Sequence, residues 1–323
     1  MDKIDKKLIV ILGPTASGKT AAAIKIAKKF NGEVVSADSR QIYKGMDVGT
    51  AKPKSDRRPT TDDRRPLIID GIPHWLIDIK NPDESYTVAE FKDDAVKIIK
   101  DIQTRRKLPI LCGGTGLYID AIVKNLDIPR VPPNPGLRKK MEKELKKRGV
   151  GFLYKKLVKL DPEAAYIIDP RNSRRIIRAL EVMLATKKPF TSQRRRDMPL
   201  FKTLQIGISR DHEKLNKIID KRVDRMIKNG LVREVKNLVK KYPKNPPAFD
   251  AIGYREIIRH LDKKNPLVEA IGQIKKNTRR FARRQMSWFR RDKSIKWVKI
   301  LPRAASKGQK EAESIVKKFL SRH

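Results

Sequence analysis

A glycine-rich segment near the N-terminus constrains the fold of this chain more than any other feature. Residues 13–20 read Gly-Pro-Thr-Ala-Ser-Gly-Lys-Thr, after the apolar run 8–12 and before the alanine-rich run 21–29. A glycine-rich loop between a strand and a helix is the context in which G-x-x-x-x-G-K-[ST] binds phosphate. Gly13 and Gly18 let successive backbone N–H groups converge on an anion, and the following helix presents its positive end to the same point. The segment therefore predicts a phosphate site.

Two side chains of this loop would add specific chemistry to the backbone. Lys19 supplies a full positive charge, and the hydroxyl of Thr20 is placed to bind Mg²⁺. The pattern is commonest in nucleoside triphosphate sites but fits any diphosphate, and a tight turn without a ligand is the simpler alternative. The residues predicted to hold the phosphate groups are Gly13, Pro14, Thr15, Ala16, Ser17, Gly18, Lys19 and Thr20.

Apolar strand-like segments alternate with helix-like segments along most of the chain. This alternation is typical of an α/β fold in which helices flank a parallel sheet, and the loop makes it P-loop NTPase-like. The predicted strands are 8–12, 32–38, 73–78, 108–112, 202–209 and 295–300. The predicted helices of this core are 21–29, 86–99, 117–123, 211–238 and 266–291.

A proline-rich stretch at 129–135 interrupts the alternation. The residues that follow it are helical in pattern at 137–148, 151–160 and 172–185, and strand-like character returns only at 202. We therefore predict two domains, a P-loop-type core formed by residues 1–124 and 200–323 and an inserted all-helical domain formed by residues 125–199.

The net charge of the chain indicates a polyanionic partner. The sequence holds 77 Lys and Arg against 37 Asp and Glu, a formal charge of +40. Such a field attracts nucleic acid and raises the rate of encounter. The alternative is a surface whose lysines face solvent and have no specific role.

The composition also bears on compartment and on metal sites. The single cysteine, Cys112, excludes an internal disulfide and a multi-cysteine zinc module. No apolar run approaches the length needed to span a membrane, and the first seven residues lack a signal-peptide pattern. We therefore expect a cytoplasmic protein with no membrane segment.

A basic helix near the C-terminus strengthens the case for RNA. Residues 278–291 contain six arginines and no carboxylate, while Ile274, Phe281 and Trp288 fall seven residues apart on one helical stripe. Like charges at helical spacing repel one another, and a phosphate backbone across that face would relieve the repulsion. An amphipathic helix with a solvated basic face is the alternative.

The inserted domain repeats this basic character. Its run 171–178 reads Arg-Asn-Ser-Arg-Arg-Ile-Ile-Arg. We interpret this helix and the C-terminal basic helix as two sides of a channel for RNA, in which Phe289 and Tyr254 could stack on bases. The alternative for both aromatic residues is a place in the core, which is the more common position of an aromatic residue beside a helix.

A carboxylate follows the second predicted strand, where ligands of parallel sheets bind. Asp38 could be a magnesium ligand, a helix cap or a general base, and the residues alone leave all three open. The strand at 108–112 ends in Gly-Gly-Thr-Gly rather than in Asp or Glu. This ending disfavours an ATPase and is compatible with a small-molecule kinase.

The motifs of the chain, taken as an ordered set, resemble those of the tRNA dimethylallyltransferase family. They are G-P-T-A-S-G-K-T (13–20), D-S-R-Q-I-Y-K-G-M-D-V-G-T-A-K-P (38–53), G-G-T-G-L-Y (113–118), N-S-R-R-I-I-R-A-L-E (172–181), I-G-Y-R-E (252–256) and R-R-F-A-R-R-Q-M-S-W-F-R (279–290). The resemblance implies transfer of a dimethylallyl group from dimethylallyl diphosphate to N6 of the adenosine 3′-adjacent to the anticodon in tRNA, with Mg²⁺. It also implies a monomer that contacts the anticodon stem-loop, and a P-loop that holds a diphosphate leaving group rather than ATP.

The resemblance assigns roles to individual positions. Asp38 matches the general base, Thr115 matches the threonine that contacts the target nucleotide, and Arg222 matches an arginine on the diphosphate. The positions that match tRNA contacts are Asp38, Ser39, Arg40, Gln41, Thr115, Arg138, Arg174, Arg175, Arg178, Gly253, Tyr254, Arg255, Arg279, Arg280, Arg283, Arg284 and Gln285.

Three other functions stay open at this stage. A small-molecule kinase or ATPase would transfer phosphate, and an RNA-binding protein with a vestigial P-loop would form no product. A relative that prenylates free adenine nucleotides would need neither the helical insertion nor the arginine-rich helix.

Overall fold

The strands of the described residues form one seven-stranded sheet. The structure is a computed structural model that describes residues 6–56, 65–193, 197–243, 246–299 and 305–321. The strands are β1 (Lys7–Leu12), β2 (Gly32–Ala37), β3 (Leu67–Ile69), β4 (Ile72–Trp75), β5 (Leu108–Gly113), β6 (Lys202–Ser209) and β7 (Lys296–Lys299). They lie in the order β3-β4-β2-β5-β1-β6-β7, and all pairs are parallel except β3 with β4. The predicted α/β fold with a parallel sheet is confirmed.

The helices follow strands β1, β4, β5, β6 and β7, and several helices follow one another between β5 and β6 and between β6 and β7. They are α1 (Lys19–Lys29), α2 (Val88–Thr104), α3 (Gly116–Val123), α4 (Pro135–Leu160), α5 (Ala164–Ile167), α6 (Ser173–Thr186), α7 (His212–Lys228), α8 (Leu231–Lys241), α9 (Tyr254–Leu261), α10 (Leu267–Phe289) and α11 (Ala305–Leu320). A 3₁₀ turn covers Pro247–Asp250. Within the described residues, none of these helices combines the length and apolar character needed to cross a lipid bilayer.

Both faces of the sheet are covered, because alternate residues of each central strand pack on opposite sides. Ile9 and Ile11 of β1 belong to the core cluster that includes α1 and α11, whereas Leu8 and Val10 belong to the cluster that includes α2 and α3. All four side chains are fully buried. A strand that is buried on both faces needs apolar side chains on both, so it appears in the sequence as a near-continuous apolar run.

The chain divides into two compact units, Met1–Val123 with Leu200–His323 and Lys124–Pro199. The second unit contains α4, α5 and α6 around a core that includes Met141, Leu153, Leu157, Ile176 and Leu180. Asn134 caps α4 by accepting a hydrogen bond from the N–H of Leu137. Asn172 caps α6 in the same way, through the N–H of Arg175.

A third apolar cluster fixes the loop that follows β2. Ile42 and Met46 of this loop are buried against Leu231 of α8 and against Tyr254 and Ile257 of α9. The loop carries Asp38 at its start, so the C-terminal helices position a segment that leaves the sheet about 200 residues earlier in the chain.

The structure differs from the sequence prediction at several element ends. The helix predicted at 211–238 is two helices, because Gly230 takes a left-handed conformation (φ 90°) between α7 and α8. The strand predicted at 73–78 ends at Trp75, because Leu76 has positive φ. Strand β3 and helix α11 were not expected.

Candidate active site

Three loops meet at the carboxyl edge of the sheet. β1, β5 and β2 are adjacent, and their last residues are in register. The segments that follow them are 13–18, 114–115 and the long loop that begins at residue 38. Parallel sheets bind ligands at this edge, so these loops form the candidate active site.

The loop 13–18 has the backbone form expected of a phosphate site. Gly18 precedes α1 with φ 100° and no side chain caps the helix, so the first N–H groups of α1 are left for an anion. The Oγ atom of Ser17 is buried and has no hydrogen-bond partner within the described residues. A buried hydroxyl without a hydrogen-bond partner destabilises the protein, and a hydrogen bond to a ligand oxygen would remove that cost. Thr20 lies in the first turn of α1.

Two cationic side chains from distant parts of the chain converge on this loop. Lys19 Nζ donates to the carbonyl of Pro14 (3.4 Å), and Arg222 Nη1 donates to Thr15 Oγ1 (3.4 Å). Within the described residues neither cation forms an ion pair with a carboxylate. Burial lowers the pKa of Lys19 and the pKa of Arg222, and the nearby charge of Asp38 opposes the lowering in both cases. Two partly buried cations without a paired carboxylate among the described residues favour a bound anion.

Asp38 and Thr115 lie together across two neighbouring loops. Asp38 Oδ1 accepts the N–H of Arg40 (2.9 Å), a side-chain turn at the start of a segment that does not form a helix. Thr115 Oγ1 accepts the N–H of Ser39 (3.1 Å), and the N–H of Thr115 donates to the carbonyl of Ala37 (3.2 Å). These contacts bring both residues with predicted catalytic roles to the carboxyl ends of β2 and β5.

Gln285 of α10 has contacts that differ from the RNA contact expected of it. Its Oε1 accepts the N–H of Thr15 (2.8 Å), and its Nε2 donates to the carbonyl of Gly114 (2.8 Å). The residue is buried, so the amide joins two loops of the site instead of facing solvent. Sequence reasoning could not supply this role, because Gln285 is 270 positions from Thr15 and 171 positions from Gly114.

The arginines of α10 divide into two groups. Arg280, Arg283 and Arg284 are exposed and, within the described residues, form no ion pair. Arg279 instead donates twice to the carboxylate of Asp220 (2.9 and 2.7 Å). Three of the four predicted arginines therefore present free charge to a partner.

The arginines of the second unit have a shared acidic partner. Arg138 and Arg178 both donate to the carboxylate of Glu181, which is fully buried. Burial would raise the pKa of Glu181, but hydrogen bonds from Arg138, from the N–H of Asn134 and from Arg178 outweigh it and lower the pKa. Arg174 is exposed and Arg175 is partly buried. Glu181 was missed, although its spacing of three from Arg178 on the predicted helix was a signal that could have found it.

The remaining predicted positions lie around the loop after β2. Arg40 Nη1 reaches the carbonyls of Pro247 and Ala248 (3.5 Å each), and Gln41 Nε2 reaches the carbonyl of Thr50 (3.5 Å). Gly253 has φ 100° and starts α9, where its N–H donates to Glu256 (2.8 Å).

Two aromatic residues do not have the exposed position predicted for them. Tyr254 is fully buried and Phe289 is only 3% exposed, so the prediction that their rings stack on bases is wrong. Both are apolar contacts of the core, which the helical spacing alone did not distinguish from an exposed face. The neighbouring Arg255 is exposed and pairs with Glu256.

Comparisons with known proteins agree on one family. The IPP transferase family model matches residues 41–292, and the isopentenyl transferase model matches residues 6–71. The tRNA dimethylallyltransferase of Acetivibrio thermocellus is 46% identical over 295 residues, covering 90% of this chain and 91% of that protein. The tRNA dimethylallyltransferase of Carboxydothermus hydrogenoformans is 43% identical, covering 98% and 97%.

Solved structures of related enzymes also resemble this chain. The tRNA isopentenylpyrophosphate transferase of Bacillus halodurans has a TM-score of 0.71 and 38% identity, covering 98% of this chain and 97% of its own. A eukaryotic dimethylallyltransferase acting on tRNA has a TM-score of 0.77 and 28% identity, covering 98% and 80%. With its family match, its site and these relatives, the chain belongs to the IPP transferase family.

Proposed function

We propose that this chain transfers a dimethylallyl group from dimethylallyl diphosphate to N6 of the adenosine 3′-adjacent to the anticodon in tRNA. The observation that carries the proposal is that Lys19 and Arg222, which have no paired carboxylate among the described residues, both contact a P-loop that lies beside Asp38 and Thr115. An anion site next to a carboxylate suits a reaction that releases diphosphate and removes a proton. The names of the relatives support the same activity.

The diphosphate end of the donor would occupy the loop 13–20. When the adenine amine attacks the allylic carbon, the C–O bond breaks and negative charge develops on the leaving diphosphate. Lys19, Arg222 and the free N–H groups of α1 are placed to stabilise that charge. Stabilising charge that develops in the transition state is usually the largest single contribution to lowering the activation barrier. Because these groups are fixed before the donor binds, they need little reorganisation during the reaction.

The residues at this site also fit a magnesium ion. Mg²⁺ is commonly held by one or two protein oxygens together with substrate phosphates, and the hydroxyl of Thr20 would be such a ligand. No cluster of three or more His, Cys, Asp or Glu in the described residues could hold a metal alone. The bound ion would neutralise part of the diphosphate charge.

Asp38 would accept the proton that N6 loses as the new C–N bond forms. One of its oxygens is fixed by the N–H of Arg40, which orients the carboxylate and leaves the other oxygen for the amine. A general base in this position contributes typically about 10² to 10⁴ in rate. Thr115, which is bonded to Ser39, would contact the same nucleotide.

The RNA would bind through exposed arginines on both units. Arg280, Arg283 and Arg284 of α10 and Arg174 of α6 are exposed. Since the target adenine must reach the edge of the sheet, we expect it to leave its stack and enter the site as a flipped base. The resemblance leads us to expect a cytoplasmic monomer, and light scattering of the purified protein would test the oligomeric state.

The alternatives are less well supported. The loop after β5 contains no Asp or Glu to organise an attacking water or hydroxyl, so a kinase or ATPase is not favoured. Prenylation of a free nucleotide would leave the inserted helical unit and the arginines of α10 without a function.

The proposal is tested by incubating the protein with labelled dimethylallyl diphosphate, Mg²⁺ and unmodified tRNA, followed by nucleoside analysis. We expect one prenylated adenosine, located next to the anticodon, and no such product when AMP replaces the tRNA. Label found on AMP, or no label on either substrate, would overturn the proposal.

A further inference from the structure

A carboxylate from α8 is bound by three consecutive backbone N–H groups of the loop after β2. Glu234 Oε2 accepts from Asp47 (3.1 Å) and Val48 (2.7 Å), and Glu234 Oε1 accepts from Gly49 (3.1 Å). Successive N–H groups that point to one place form an anion-binding nest. Here the anion is a side chain of the protein itself, so the nest locks the loop to α8.

A buried tyrosine completes this arrangement. The hydroxyl of Tyr254 donates to Glu234 Oε1 (2.6 Å), and its ring is fully buried. Burial, followed by the charge of Glu234, raises the pKa of Tyr254, so the phenol remains a donor. A Cβ atom at Gly49 would lie 2.4 Å from the Tyr254 ring, which shows how closely the loop backbone packs on it. We call Glu234 and Tyr254 the loop clamp.

The clamped segment leads directly to the diphosphate site. The carbonyl of Thr50, the residue after Gly49, accepts from Arg222 Nη2 (3.3 Å) and from Gln41 Nε2 (3.5 Å). The other terminal nitrogen of Arg222 reaches Thr15 of the P-loop (3.4 Å). The direction of the Arg222 guanidinium therefore depends on where the Thr50 carbonyl lies.

We propose that Glu234 and Tyr254 are positioning residues that hold the Thr50 carbonyl and thereby aim Arg222 at the diphosphate of the donor. This inference rests on the proposed function for the identity of the donor. The clamp touches no substrate and acts only through the loop. Its loss releases Arg222 from one of its two fixed contacts and weakens the site for the donor diphosphate.

The test compares Glu234→Gln and Tyr254→Phe with the control Glu311→Gln, which removes an exposed carboxylate on α11. Tyr254→Phe keeps the ring against Gly49 and removes one hydrogen bond, so it keeps the core filled. Two readouts are measured for each variant, the KM for dimethylallyl diphosphate and the affinity for inorganic diphosphate with Mg²⁺ by calorimetry.

We expect Glu234→Gln to raise the donor KM on the order of tenfold to hundredfold, with a smaller rise for Tyr254→Phe and none for Glu311→Gln. The affinity for inorganic diphosphate falls in the same order. A general loss of folding would lower the active fraction and leave KM unchanged, so the KM separates positioning from stability.

A double-mutant cycle with Arg222→Ala decides whether the clamp acts through that arginine. In the Arg222→Ala background, Glu234→Gln and Tyr254→Phe should have no further effect on diphosphate affinity. Equal effects in both backgrounds, or an unchanged donor KM in folded Tyr254→Phe, would overturn the proposal. If the wild-type protein prenylates no tRNA, the proposed function fails, while the calorimetric cycle still tests the clamp.

Discussion

At the scale of residues, Asp38 is held by a backbone contact whereas Lys19 and Arg222 are held by neutral oxygens. The Oδ1 atom of Asp38 accepts the N–H of Arg40, which orients the carboxylate, and within the described residues Asp38 forms no ion pair. A general base needs such a fixed position within reach of the proton that it accepts. A substitution that tests this role of Asp38 should keep the hydrogen bond from the Arg40 N–H and remove the carboxylate that accepts the proton.

Asp38→Asn is that substitution, because the amide oxygen can still accept the N–H of Arg40. We expect kcat for prenyl transfer to fall about 10² to 10⁴-fold while the dissociation constant for tRNA changes little. Single-turnover transfer and fluorescence anisotropy with labelled tRNA measure the two quantities. A variant that retains more than about a tenth of wild-type turnover would remove Asp38 from the role of base.

The sequence predicted the residues of the P-loop site better than the residues around them. Gly13 to Thr20 and Asp38 follow strands directly, so the parallel sheet is enough to bring them to one edge. The partners of Gln285, and the contact of Glu181 with Arg138, are set by packing between segments that are far apart in the chain. No local pattern encodes such contacts.

At the scale of elements, one face of α10 contacts the P-loop and another face is exposed to solvent. Gln285 faces the P-loop, whereas Arg280, Arg283 and Arg284 face solvent. Arg279 forms an ion pair with Asp220, so less of its charge is available to bind RNA. The exposed arginines are therefore the part of this helix that should determine RNA affinity.

The triple substitution of Arg280, Arg283 and Arg284 to Gln should weaken tRNA binding and lower its salt dependence. Each phosphate contact contributes roughly 0.7 to 0.9 to the slope of log K against log salt, so the slope should fall by about 2 to 3. Anisotropy titrations at several salt concentrations measure this slope.

A control variant makes the same charge change elsewhere. Lys310, Lys317 and Lys318 are exposed on α11, and their substitution to Gln also removes three positive charges. We expect this control to retain most of the wild-type slope. Equal slopes for the two triple variants would mean that net charge, rather than α10, determines binding.

Local sequence signals indicate some of the ends of the strands and helices and give no indication of others. The hairpin of β3 and β4 turns at Asp70-Gly71, where both residues have positive φ, and Asp-Gly is a strong turn signal that the sequence analysis did not use. The break at Gly230 was also readable from the glycine. The end of β4 at Leu76 was not, because a non-glycine residue with positive φ has no sequence signature.

At the scale of the whole molecule, the two edges of the sheet have different chemistry. The carboxyl edge holds Lys19 and Arg222, which have no paired carboxylate in the part of the chain that the structure describes. The amino edge holds Glu33 of β2, a buried carboxylate that accepts from Arg105 (2.9 Å), Lys107 (2.8 Å) and Trp75 (2.8 Å). Burial would raise the pKa of Glu33, but these hydrogen bonds outweigh it and hold the pKa at about 2, below the ordinary value of 4.5.

Because the folded pKa of Glu33 is depressed, its contribution to stability is present above about pH 4.5 and is lost as the pH falls toward 2. We expect Glu33→Gln to lower the free energy of unfolding at pH 7 by about 2 kcal/mol, allowing for the partial solvent exposure of Arg105 and Lys107. The difference from wild type should shrink as the pH is lowered.

Urea unfolding at pH 7 and at lower pH measures this difference, with Glu311→Gln as the exposed control. A destabilisation that is the same at every pH would show that lost packing, and not the charge of Glu33, is responsible. Prenyl transfer at pH 7 should be unaffected, since Glu33 lies at the edge of the sheet opposite the site.

The balance of products in one reaction tests most directly that the P-loop holds a prenyl donor. With dimethylallyl diphosphate, ATP, Mg²⁺ and tRNA present together, we predict one diphosphate released for each prenylated adenosine and no orthophosphate or ADP. Release of orthophosphate or ADP from ATP, with the adenosines of the tRNA unmodified, would contradict the account.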